Sequence, residues 1–231
     1  MIPLHDDNPT EILPVLTVSL IVICVLVFFW QISLDEIAQQ RAVLSFGVIP
    51  AVLLDNKQLA PGLDVLPAEL TVFSSMFMHG GWMHLIGNML YLWIFGNNVE
   101  DAMGYGRFIV FYLLSGIGAA LAQSLANPES AIPMIGASGA ISGVLGAYLL
   151  LYPHARVLVA IPLGVLFYTL RLPALAVLGF WFILQLINSA MATPGEGGVA
   201  FLAHAGGFVV GMALVPMMKR RDVRLFNPAR R

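Results

Sequence analysis

The chain has 231 residues, of which 59% are hydrophobic and only 10% are charged, and its formal net charge is −2. Soluble domains carry about 25% charged residues, so this chain has too little polar surface to face water on all sides. The near-neutral charge argues against nucleic acid as a partner, and the single cysteine, Cys24, excludes an intramolecular disulfide and a thiolate zinc site.

Six apolar segments are candidates for membrane-crossing helices, each of which needs roughly 17–25 mainly apolar residues. The first follows acidic rather than basic residues and has no small-residue cleavage site after it, so we expect a retained anchor rather than a signal peptide. We therefore predict an all-α polytopic membrane protein, a six-helix bundle forming a single domain over residues 1–231. The candidate helices cover residues 13–30, 82–97, 108–125, 137–152, 172–190 and 199–218.

Two connecting segments are longer than simple turns. The loop at 31–81 mixes acidic residues with apolar patches and prolines, which predicts short helices resting at the outer membrane surface. The segment 157–169 is apolar but short, and it contains Pro162 and Gly164. We interpret it as an interfacial or re-entrant loop rather than a seventh crossing.

The distribution of basic residues sets the orientation. Six crossings leave only Arg41 and Lys57 on one side and nine basic residues on the other. The positive-inside rule then predicts that both termini are cytoplasmic. A seventh crossing would move the basic tail outside and remove this asymmetry. The nine residues are Arg107, Arg156, Arg171, Lys219, Arg220, Arg221, Arg224, Arg230 and Arg231.

Ionisable and amide side chains inside membrane helices are costly, and by default they suggest function. The second, fourth and sixth helices all begin on the outer side, so polar residues near their starts lie at one depth. These residues are His84, Asn88, Ser138, Ser142 and His204, and the fifth helix carries Gln185 and Asn188 towards its outer end. We interpret His79 and His5 as surface or interfacial residues.

The spacing of these residues favours a shared site. His84 and Asn88 are four residues apart and lie on one helix face. Ser138 opens a helix, where free backbone N–H groups favour developing negative charge. Stripes of small residues on the fourth and sixth helices permit close backbone approach, which would bring Ser138 towards His204. The stripe residues are Gly139, Gly143, Gly207 and Gly211.

Each feature also has a simpler interpretation. A serine in such a helix is usually bonded to its own backbone, and a lone histidine in a membrane more often joins two helices or carries protons. A small transporter or channel is therefore an alternative function. No acid is placed to orient His204, so a serine hydrolase here would use a Ser-His dyad.

Three motifs, in this order, resemble the rhomboid family of intramembrane serine proteases. They are His-Gly-Gly-Trp-Met-His-Leu-Ile-Gly-Asn at 79–88, Gly-Ala-Ser-Gly at 136–139, and His-Ala-Gly-Gly at 204–207 with Gly211. The resemblance implies that Ser138 is the nucleophile and that His204 is the general base and acid. It implies an oxyanion hole formed by His84, Asn88 and the Ser138 backbone N–H. The sequence has no His-Glu-x-x-His motif and only one cysteine, so we expect no cofactor or metal.

The resemblance also implies substrates that are single-span membrane proteins, cut in or near the membrane and often after a small residue. Some members carry an aromatic residue on the catalytic histidine at the position of Ser142, and some carry a Trp-Arg pair that is absent from 31–81. A catalytically inactive relative that binds membrane clients is a further alternative. The compact chain resembles prokaryotic plasma-membrane members, and the glycine-rich segment 191–198 is a candidate lid over the site.

Overall fold

The computed structural model describes residues 1–54, 57–164, 166–191 and 200–226. Within these residues, a long helix lies at each of the six predicted segments, with ends that differ from the prediction by a few residues. The helices are α1 (Val15–Ser33), α5 (Trp82–Met103), α6 (Tyr105–Ala126), α7 (Ser138–Leu151), α8 (Ala174–Met191) and α9 (Phe201–Met218).

Four of these helices, α1, α6, α8 and α9, are long and apolar enough to cross a membrane. The chain is therefore a multi-pass membrane protein. The helix α5 has 22 residues but ends in Asn97, Asn98, Glu100 and Asp101, which lower its hydropathy. The helix α7 is apolar but has only 14 residues. Six crossings thus remain a prediction.

The segment between α1 and α5 folds into short helices, as the sequence predicts. They are α2 (Glu36–Phe46), α3 (Pro50–Leu53), α4 (Ala68–Ser74) and a 3₁₀ turn at Ser75–Phe77. Val48 and Met134 exchange two backbone hydrogen bonds, and the Gly136 N–H donates to the Ser75 carbonyl at 2.9 Å. These bonds fix the stretch of chain that leads into α7.

A three-stranded antiparallel sheet, which the all-helical prediction lacks, lies beside the bundle. Its strands are β1 (Ile2–Asp6), β2 (Arg156–Leu163) and β3 (Leu166–Pro173), in the order β1-β2-β3. The interfacial or re-entrant loop expected at 157–169 is instead the hairpin of β2 and β3. The sequence did not predict strands here because of Pro162 and Gly164. In the structure Gly164 lies in the hairpin turn, and Pro162 lies beyond Ala160, where the pairing of β2 with β1 ends.

The helix α7 packs between its neighbours through glycines. A Cβ at Gly207 of α9 would collide with the Gly139 carbonyl oxygen of α7, and a Cβ at Gly211 would collide with the Gly143 carbonyl. A Cβ at Gly139 would lie 2.6 Å from Cβ of Ala119 in α6. The predicted stripes therefore face one another, and backbones touch where side chains would keep them apart.

The opposite end of α5 and α7 is joined by buried polar side chains. Glu100 is fully buried, and its carboxylate accepts hydrogen bonds from the backbone N–H groups of Leu16 and Thr17 at 2.8 and 2.7 Å. Asp6 accepts from the Tyr148 hydroxyl at 2.6 Å and from the Asn98 amide at 3.1 Å. We call Asp6, Asn98, Glu100, Asp101 and Tyr148 the anchor cluster.

Candidate active site

Ser138 is the first residue of α7, and the local backbone exposes its N–H groups. The preceding Ala137 provides no side-chain cap, so the N–H groups of the first turn have no partner within the helix. Gly136 has φ of +127°, a conformation that L side chains rarely adopt. The Ser138 carbonyl accepts a hydrogen bond from Ser142 Oγ at 2.6 Å, so Ser142 is bonded back to its own helix.

Ser138 and His204 lie in direct contact. The distance between Ser138 Oγ and His204 Nε2 is 2.7 Å, within the normal range for a hydrogen bond between a nucleophile and its base. His204 lies in the first turn of α9, and the glycine contacts between α7 and α9 hold the two residues at one level. The structure thus brings together the two residues that the sequence pairs across 66 positions.

His204 has two further neighbours, both from α8. Its Nδ1 lies 2.9 Å from Oε1 of Gln185, and its ring lies 5.9 Å from that of Trp181 at an interplanar angle of 33°. The sequence identifies Gln185 as a polar residue in a membrane helix but does not connect it to His204. The aromatic ring expected near the histidine in some rhomboids, and absent at Ser142, is supplied here by Trp181.

His84 lies beside the backbone that precedes Ser138. The Gly80 N–H donates to His84 Nδ1 at 3.2 Å, so the ring carries its proton on Nε2 when it is neutral. A Cβ added at Gly136 would lie 2.6 Å from that Nε2. The Nε2–H donor of His84 therefore lies next to the N-terminus of α7.

Asn88 lies one helical turn from His84 and is 7% exposed. Its Nδ2 is buried and has no hydrogen-bond partner among the described residues. A buried amide without a partner costs free energy, so such a group in a folded protein asks for an explanation. Here the amide lies on the helix that also carries His84.

His79, interpreted from sequence as a surface or interfacial residue, is only 2% exposed. Its backbone N–H and carbonyl are both bonded to the Gln31 side chain, at 2.9 and 3.3 Å. Its ring packs edge-on against His84 at 5.2 Å. Burial, helped by the nearby His84, lowers the pKa of His79 to about 4, so the ring is neutral at physiological pH. His79 therefore buttresses His84.

A small cavity of about 50 Å³ adjoins Ser138. Its walls come from α4, the 3₁₀ turn, α6, α7, α9 and the segment before α7, and they are mostly small or apolar. Among its lining residues are Met76, Gly116, Ala119, Ala120, Gly136 and Ala203. The candidate lid at 191–198 lies, apart from Met191, outside the described residues.

Comparison with known proteins decides the family. The model of the Rhomboid domain matches residues 68–221, which contain the three motifs and all the site residues named above. The chain belongs to the rhomboid family. The match begins in α4 and ends just beyond α9, so β1, α1, α2 and α3 lie outside it.

Several rhomboid relatives align with this chain. Rhomboid protein 1, mitochondrial, of Saccharomyces cerevisiae is 31% identical over 64% of this chain and 42% of its own length. Rhomboid-like protein 11, chloroplastic, of Arabidopsis thaliana is 28% identical over 67% of this chain and 54% of its own. Rhomboid protease GluP of Bacillus subtilis is 42% identical over 34% of this chain and 15% of its own. The chain thus spans about half the length of the first two relatives or less.

Proposed function

We propose that this rhomboid protein is an intramembrane serine endopeptidase that works with a Ser138-His204 dyad. The observation that carries the proposal is the 2.7 Å contact between Ser138 Oγ and His204 Nε2. A serine hydroxyl is a weak nucleophile until an adjacent base removes its proton. The family membership and the name of the bacterial relative, a rhomboid protease, add support.

In the proposed reaction, the Ser138 hydroxyl donates its proton to His204 Nε2 while Oγ attacks the scissile carbonyl carbon. The protonated His204 then gives that proton to the departing amine, and the peptide bond breaks to leave an acyl-serine. In the second half, His204 takes a proton from water, the resulting hydroxide attacks the ester, and Ser138 recovers its proton.

The developing oxyanion needs donors that are ready before the reaction. Among the described residues, the Ser138 N–H at the helix start receives no side-chain cap, the Nε2–H of His84 lies next to Gly136, and the Nδ2 of Asn88 has no partner. We assign these three groups to the oxyanion hole. An amide left unpaired in the resting protein gains its bond only when charge appears on the substrate, which is how such donors lower a barrier.

The proposal includes six crossings by α1, α5, α6, α7, α8 and α9, within one membrane domain over residues 1–231, and both termini in the cytoplasm. A reporter fused after Arg231 that is active only outside the cytoplasm should stay silent; activity there would contradict this topology. The expectation of a prokaryotic plasma membrane gains no support from the relatives, which include mitochondrial and chloroplastic proteins.

We propose single-span membrane proteins as substrates. Lipid surrounds the helices, so a substrate that reaches Ser138 from within the bilayer must carry a membrane-spanning segment of its own. The cavity beside Ser138, about 50 Å³ and lined by small and apolar residues, fits a small side chain next to the cut. A client-binding protein without activity, or a transporter using the histidines, would not require an activated serine.

The decisive test is labelling with a fluorophosphonate, which reacts with activated serines, alongside cleavage of a model transmembrane substrate. Wild type should react in both assays, and Ser138→Ala and His204→Ala should each lose both. The double variant should be no worse than either single variant, because the two residues act as a unit. Ser142→Ala, one turn along the same helix, is the matched control and should label normally. A Ser138→Ala protein that still cleaves would refute the assignment.

A further inference from the structure

Gln185 occupies an unusual position in α8. From Gly179 to Met191, every other side chain of this helix is exposed or half-buried, whereas Gln185 is 8% exposed. Burying an amide is costly unless its oxygen and nitrogen are hydrogen-bonded. The half of α8 that ends at Met191 thus turns a single buried residue towards the bundle, and that residue is polar.

The two ends of the Gln185 amide have different partners, which fixes its orientation. Its Nε2 lies 3.4 Å from the carbonyl oxygen of Trp181, which can only accept a hydrogen bond. The nitrogen must therefore face Trp181, and the oxygen Oε1 faces His204 Nδ1 at 2.9 Å. An amide oxygen also can only accept, so His204 Nδ1 must carry a proton.

This arrangement selects one tautomer of His204. With the proton on Nδ1, the neutral ring has its lone pair on Nε2, which lies 2.7 Å from Ser138 Oγ. That is the tautomer able to accept the serine proton; the other would offer Ser138 a donor. In soluble serine proteases a buried aspartate performs this selection.

We propose that Gln185 is a positioning residue that holds His204 in the Nδ1–H tautomer and aims its Nε2 at Ser138. The inference rests on the proposed function, which it extends from a dyad to a Ser-His-Gln chain. Trp181, one turn earlier on α8, covers the face of the His204 ring and accepts from the Gln185 amide through its carbonyl. Residues of α8 thus contact both the face of the His204 ring and its Nδ1 edge, and together they orient the ring.

A neutral amide orients the ring without the charge of an aspartate. When His204 becomes positively charged in the transition state, Gln185 offers it a dipole only. The loss on removing Gln185 should therefore be smaller than the factor of about 10⁴ seen when the aspartate of a soluble triad is replaced by asparagine. If Gln185 only tethered α8 to the bundle, its removal would lower the stability of the protein and would reduce cleavage only as a result of that loss.

The test uses the full-length protein in detergent and compares Gln185→Met, which keeps the size but loses the acceptor, with Gln185→Glu, which retains an acceptor oxygen. Asn188→Leu is the matched control, because it removes an exposed amide from the same helix. The measurements are kcat and KM for a model transmembrane substrate, the melting temperature, and ¹⁵N NMR of labelled histidine, with His204 assigned by its absence in His204→Ala.

Gln185→Met should lower kcat on the order of tenfold to a hundredfold with KM within about twofold, and the His204 spectrum should shift away from the Nδ1–H tautomer. Gln185→Glu should recover most of kcat, and Asn188→Leu should match wild type. If the wild type is active and Gln185→Met leaves both kcat and the His204 tautomer unchanged, the inference is overturned while the proposed function stands. A loss of activity that follows the melting temperature and that Gln185→Glu does not rescue would also overturn the inference. An unreactive wild type would overturn the proposed function as well.

Discussion

At the end of the bundle that carries Ser138, helices meet through glycines, whereas at the opposite end they meet through buried hydrogen-bonded side chains. The anchor cluster pairs its carboxylates with specific donors, as Glu100 does with Leu16 and Thr17. The site end leaves the Nδ2 donor of Asn88 without a partner among the described residues. The difference suggests that the anchor cluster maintains the fold, while the site end keeps donors available for chemistry.

The largest expected effect comes from forcing apart the helices at the site end. Gly207→Val places side-chain atoms where the Gly139 carbonyl lies, so α7 and α9 must separate and carry Ser138 away from His204. We expect loss of nearly all cleavage and a fall of about 1–3 kcal/mol or more in stability, as for overpacked cores. Gly179→Val is the control, because nothing lies within 4 Å of a Cβ there. Full activity and an unchanged melting temperature in Gly207→Val would contradict the packing.

Substitutions in the anchor cluster should have a different effect: they should lower the stability of the protein and leave its catalytic rate unchanged. Glu100→Gln keeps the shape but turns an amide NH₂ towards the N–H groups of Leu16 or Thr17, leaving buried donors unpaired. We expect about 1–3 kcal/mol of destabilisation, seen as a lower melting temperature, with kcat of the folded protein unchanged. Glu69→Gln, at an exposed position, should alter neither. A large drop in kcat at constant stability would show that the two ends are not separate.

Asn88 tests the site end directly. Asn88→Ala removes the unpaired amide, so we expect kcat to fall by about tenfold to a hundredfold, less than the 10²–10³ typical for one oxyanion donor, since two others remain. The melting temperature should stay constant or rise, because no existing hydrogen bond is lost. Labelling of Ser138 by fluorophosphonate should stay detectable. Unchanged kcat with a raised KM would make Asn88 a substrate-binding residue instead.

The smallest expected effect is a dependence of stability on pH that arises from the anchor cluster. Burial raises the pKa of Asp6 from its ordinary value of 3.8 to about 6, against the opposing hydrogen bond from Tyr148. The native state thus holds this proton more tightly than the unfolded chain does. The associated stability is complete below pH 4 and is lost as the pH rises through about 6.

Asp6→Asn should remove this dependence, because an amide oxygen can still accept from Tyr148 and Asn98 but does not ionise. The measurement is the melting temperature from pH 4.5 to 7.5, where wild type should lose stability with rising pH relative to the variant by about 1–3 kcal/mol at most. Asp7→Asn, at an exposed neighbour, should behave as wild type. Parallel curves for wild type and Asp6→Asn would contradict the role of Asp6.

The sequence predicts the helices of this chain well, because long apolar runs and their polar starts are local signals. It also pairs His204 with Ser138, which lie 2.7 Å apart, because both residues are near the starts of helices that begin on the same side in the predicted topology. The sequence does not predict the sheet, because β1 pairs with β2 across about 150 residues and no local pattern shows such a partner. Gln185 was visible as a costly polar residue in α8, but its contact with His204 depends on helix rotation, which hydropathy does not encode.

Under the proposed function, the length of α7 affects where a substrate would be cut. Fourteen residues at 1.5 Å each give a rod of about 21 Å, whereas the hydrocarbon core is about 30 Å thick. With its far end at one boundary, the rod stops about 9 Å short of the other, and Ser138 is its first residue. The depth of the reacting bond then depends on helix length: one extra turn inserted between Ser138 and Leu151 would raise that bond by about 5 Å, towards the headgroups.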